Sequence, residues 1–107
     1  MLSRDSLNAL AREIGPGGLV LSMYLNIPTT RLVNIHLAGL EKGQGEDVMT
    51  MEMLMLWKEL RATAKEKDKV HDLERALKEA GKLDHADIVM DKYQNESEMT
   101  ADCFPAS

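Results

Sequence analysis

The feature that most constrains this chain is the position of its helix-breaking residues. Gly15-Pro16-Gly17-Gly18, then Pro28, then the glycines at 39, 43 and 45, then Gly81 divide it into stretches the length of ordinary globular helices. Within each stretch apolar residues recur three and four apart, which builds one buried face per helix. The chain must therefore fold as several short elements packed on one another. Its 107 residues make one domain with a single core. One Trp, one Phe and two Tyr leave eight Met to share the interior with Leu, Ile, Val and Ala, a mixture suited to helices and poor for a β-sandwich.

Read along the chain, the spacing predicts six helices. Ser3 caps the first, with Leu7, Leu10, Ala11 and Ile14 inward. The apolar run Leu19–Ile27, ended by Pro28, is read as the second. Thr29 or Thr30 caps a short third helix through Leu32, Ile35 and His36, with Gly39, Gly43 and Gly45 in the loop that follows. The fourth runs from Glu46-Asp47 to about Ala64. It places Met49, Met53, Leu56, Trp57 and Leu60 on one face and Val48, Met51 and Met55 on another, as befits a central helix with Trp57 at the middle of the core. Asp68 caps the fifth, with Val70, Leu73, Leu77 and Ala80 inward and Gly81 just past its end. Asp84 caps the sixth, with Ala86, Val89, Met90 and Tyr93 inward. From Gln94 the period is lost, so residues 94–107, ending in Pro105-Ala106-Ser107, read as a flexible tail.

Several local patterns have a common likeness. Leu25-Asn26-Ile27 with Leu32 and Ile35, Leu54-Met55-Leu56-Trp57, and Leu73-Glu74-Arg75-Ala76-Leu77-Lys78-Glu79-Ala80-Gly81 with Leu83 and Ala86 follow one another in the order and separation of death-domain signatures. The chain from about residue 5 to residue 93 thus resembles a death domain. The sister caspase-recruitment family is the near alternative. Gly18 stands where death domains usually have an aromatic, and Asn26 where they usually have glycine. The resemblance implies an all-α, six-helix antiparallel Greek-key bundle of the death-fold type over residues 3–93. It implies a non-enzymatic signalling module, part of an adaptor, receptor or scaffold, that associates with another death-domain protein or with itself as a homo- or hetero-oligomer.

Charge and chemistry limit the alternatives. Thirteen Lys and Arg against eighteen Asp and Glu give a net charge of -5, the wrong sign for a nucleic-acid partner. Gly17–Leu40 also reads as a DNA-binding helix-turn-helix with Thr30–His36 as recognition helix, but it offers few cations for phosphates. His36, His71 and His85 are too dispersed for a metal motif, and Cys103 lies in the tail with no partner thiol. No nucleophile–base pair or cofactor motif is present. Early charge at Arg4-Asp5 and the lack of a long apolar run argue against a secretory leader, a membrane helix or direct membrane contact; a lone thiol fits the cytoplasm, or the cytosolic part of a larger or membrane-anchored protein.

Charge placement is informative. Lys58–Lys82 holds eight basic against six acidic residues, while Asp84–Asp102 holds six acids against Lys92. A solvated surface is the plain reading. With the resemblance, two opposed partner surfaces follow: Arg61, Lys65, Lys67 and Lys69 where the fourth helix meets the fifth, and Asp84, Asp87 and Asp91 on the sixth, with Arg31 on the third as a further candidate.

Overall fold

The computed structural model describes residues 2–104, apart from the side chain of Ala101. Helix is the one regular secondary structure among them. The elements are α1 (Arg4–Ile14), a 3-10 turn (Gly15–Gly17), α2 (Gly18–Tyr24), α3 (Thr29–Glu41), α4 (Glu46–Leu60), α5 (Glu66–Glu79), α6 (Leu83–Gln94) and a second 3-10 turn (Ala101–Cys103). Five helices run 11 to 15 residues, and α2 is a seven-residue segment continuous with the first turn. No described helix is long and apolar enough to cross a membrane.

Helix α4 is the hub. α1, α2 and α3 all pack on it, while α6 packs mainly on α5. Trp57 is 1% exposed, surrounded by a core of Leu7, Leu10, Leu21, Leu32, Met53, Leu54, Leu73 and Leu77. Its indole N–H is not left unpaired: it donates to Asp72 Oδ2 at 3.2 Å, as a buried donor requires. The other Asp72 oxygen accepts from Arg75 at 2.6 Å, and Arg75 donates onward to the Tyr24 carbonyl at 2.9 Å. Hydrogen bonding to Asp72 is the largest cause holding the Arg75 guanidinium pKa above its ordinary value. One polar chain thus ties α4, α5 and the end of α2.

Glycine permits two of the approaches to α4. A side chain at Gly18 would overlap Thr50, whose hydroxyl donates to the Gly15 carbonyl at 3.2 Å. That is why glycine opens α2 where the resembled pattern has an aromatic. Gly39 likewise faces Met49 with no room for a Cβ, so it lies inside α3 and not in the loop expected there. The helix therefore runs on to Glu41 because close packing outweighs the low helix propensity of one glycine.

Other expectations need correction. Ser3 does cap α1, accepting from the Ser6 N–H at 3.1 Å. Thr29, however, is the first residue of α3 after Pro28, and Lys65 and Lys82 occupy the cap positions assigned to Asp68 and Asp84. Both acids sit instead in the first turn, where the helix dipole still favours them. Helix α4 stops at Leu60, four residues early, so Leu60 is 50% exposed with no neighbouring element to cover it.

The largest correction concerns the C-terminal segment. Residues 95–104 do not trail away: they fold back as a strap, with Met99 and Phe104 in the core and the second 3-10 turn against α1. The expectation for Pro105-Ala106-Ser107 lies outside the described residues.

Candidate functional site

The four basic candidates come together at one end of the bundle. Arg61 ends α4, Lys65 precedes α5, and Lys67 and Lys69 lie in its first turns. Lys65 and Lys67 are exposed; Arg61 and Lys69 are half-buried, and Arg61 Nε is enclosed with no hydrogen-bond partner among the described residues. The junction is not purely ionic. Met55 and Ala62 line a shallow, mainly apolar groove between α4 and α5, rimmed by Lys58, Glu59 and Lys69. Met55 is half-buried, as is Met51 one turn earlier, because α4 turns this stripe away from α1 and α2.

The acids Asp84, Asp87 and Asp91 are all exposed and fall on one face of α6, opposite the buried Ala86 and Val89. Asp91 also accepts from the Asn95 side chain at 3.2 Å at the end of the helix. Leu83 stands beside them, 60% exposed, as the first residue of α6. Because α5 and α6 pack side by side through a tight Gly81 turn, Asp84 lies a helix length, about 20 Å, from the Lys65 end. Asp91, two turns further along the antiparallel α6, runs back toward that end, where Glu66 and Glu96 line one pocket with Tyr93 and Gln94, so Asp84 is the acid that stands at the full separation from the lysines. The ion pairs Arg75–Asp72, Arg75–Glu79 and Lys78–Glu74 along α5 use none of the proposed partner residues.

Arg31 is exposed on α3 but stands apart from the other candidates. Around the same helix Val33, Leu37 and Leu40 are exposed at i, i+4 and i+7, so the outward face of the supposed recognition helix is largely apolar. Among the described residues no group of three His, Cys, Asp or Glu side chains is placed to hold a metal ion.

Sequence reasoning missed one arrangement. The Glu98 carboxylate accepts from the hydroxyls of both Ser3 and Ser6, and the Met99 N–H donates to Ser6 Oγ at 2.9 Å. These two hydroxyls are the leading causes that lower the Glu98 pKa from 4.5 to about 2. At the far end of the strap the Phe104 ring stacks on His85, centroids 5.4 Å apart. The usable signal was Met99 and Phe104, two large apolar residues in an otherwise polar tail. No family model matches the chain, and no curated protein or solved structure matches it.

Proposed function

We propose that this chain is a non-enzymatic interaction module of the death-domain type, a six-helix antiparallel Greek-key bundle that assembles with another such domain or with a second copy of itself. The observation that carries this reading is the separation of exposed charge on a rigid helical frame. Arg61, Lys65, Lys67 and Lys69 gather at one end, where Lys69 rims an apolar groove, and Asp84, Asp87 and Asp91 form an acidic face along α6 that begins at the opposite end. Opposite-signed surfaces carried on different helices favour head-to-tail association between molecules. Such contacts raise encounter rates and set orientation, and they weaken as salt rises.

The test reverses Lys65 and Lys67, which are exposed, and leaves Arg61 alone because its Nε is enclosed. Lys65→Glu with Lys67→Glu should leave helicity and melting unchanged. It should weaken capture of a death-domain protein, or of a differently tagged second copy, more at low salt than at high salt. Unaltered capture by the folded double variant removes this surface. Salt-dependent binding of the parent protein to random duplex DNA would instead favour the helix-turn-helix alternative centred on Arg31.

A further inference from the structure

We infer that the residue 98–104 strap is exchangeable, so that a second copy of this chain can donate its own strap to the furrow between α1 and α6. This surface is distinct from the charged ends of the bundle. Its occupant is identified by what already fills it. Helix α1 packs mainly on α4 and α6 mainly on α5, and the strap lies against both, with Met99 2% exposed and Phe104 6% exposed. Its anchors are the Ser3 and Ser6 hydroxyls of the α1 start and the His85 ring near the start of α6. None of these anchors lies in the turn that joins strap to helix. An identical strap arriving from another molecule makes every one of them unchanged.

The turn is where the closed form is strained. Four helices end in the same reversal, in which a left-handed residue follows the C-cap: Asn26 after α2, Gly43 after α3, Gly81 after α5 and Glu96 after α6. At the last of these, Glu96 N–H donates to the Tyr93 carbonyl at 3.1 Å and Ser97 N–H to the Lys92 carbonyl at 2.9 Å. Glycine and asparagine accept this conformation readily; glutamate, here at φ 53°, does not. Asn95-Glu96-Ser97 is thus a short hinge with its strain at one residue, the arrangement that invites swapping. Opening it lets α6 continue through residues that tolerate helix, relaxes Glu96 and sends the strap to a neighbour. The exchange conserves all packing, so its balance is set by hinge strain against the entropy of association.

The experiment uses the full chain. Isotopically heavy and light protein are mixed at high concentration, warmed to just below the melting transition and cooled; native mass spectrometry then reads mixed dimers. Mixed dimers are expected from the parent. Glu96→Gly, which relieves the closed turn, should lower the dimer association constant by roughly tenfold or more, because two hinges are involved. Glu96→Val, whose branched side chain resists positive φ yet can continue a helix, should raise the dimer fraction. Added salt, and the Lys65→Glu with Lys67→Glu variant, should leave this dimer unchanged, which separates it from charge-mediated assembly. Absence of mixed dimers from the parent, or a dimer fraction indifferent to Glu96→Gly, overturns the inference even if the valine variant fails to fold.

Discussion

Helices α1 and α3 pack against the same central helix, yet their burial is very different. Helix α1 buries six of its eleven residues and α3 two of its thirteen. Composition does not explain this, because α3 carries Leu32, Val33, Ile35, Leu37, Ala38 and Leu40 against Leu7, Ala9, Leu10, Ala11 and Ile14 on α1. The neighbours do. Helix α1 is enclosed by α4, the Gly15–Gly17 turn and the C-terminal strap, whereas α3 meets α4 and the short α2. A stripe of apolar residues specifies a face able to be buried, and the fold decides whether anything arrives to bury it. The α1 side should therefore hold the global stability of the domain, and α3 should belong to its less protected part.

The sharpest way to break this comparison is to make the same truncation on both helices. Leu10→Ala, at a fully buried position, should cost about 2–5 kcal/mol in chemical denaturation, while Leu37→Ala, more than half exposed, should change stability by no more than about 0.5 kcal/mol. Equal losses would mean that the outer face of α3 is covered in solution. Next in size is the one tight point of α3. Gly39→Val places a branched side chain where Met49 already sits and should cost about 1–3 kcal/mol through overpacking, read as a lower melting temperature.

The smallest effect belongs to the strap. Its Glu98 holds a proton less readily when docked, with a pKa of about 2 against an ordinary 4.5, so protonation favours the undocked form. The contribution is complete above the ordinary value and is lost as pH falls from about 4.5 toward 2. Amide exchange at Met99, corrected for its intrinsic pH dependence, should lose protection over that window, while Leu10 should not. Glu98→Gln should flatten the response. Because Glu98 is exposed, solvent screens the effect, and protection rather than global stability is the measurement to use.

How far the sequence could be read depended on the range of the interactions involved. Helix existence, the inward faces of α1 and α5, the Ser3 cap, the Gly81 turn and the burial of Trp57 follow from spacing and local chemistry, and all are present. Cap assignments at Asp68 and Asp84 were displaced by three and two residues, because an acid is nearly as favourable in the first turn as at the cap. The clustering of Arg61, Lys65, Lys67 and Lys69 was legible for the same reason, since a helix end and the next helix start are neighbours along the chain.

What the sequence determined by itself was an all-helical chain with α4 at its centre and its positive and negative charges in successive segments. Tertiary structure alone decided three matters. Gly39 continues a helix because Met49 occupies the space of its missing side chain; α3 leaves Val33, Leu37 and Leu40 uncovered because no described element packs there; and residues 95–104 are bound because Ser3 and Ser6, more than ninety positions earlier, meet Glu98 and Met99. Each depends on an encounter between distant parts of the chain. Periodicity and capping describe what a segment can bury or bond, and only the assembled fold determines which partner it meets.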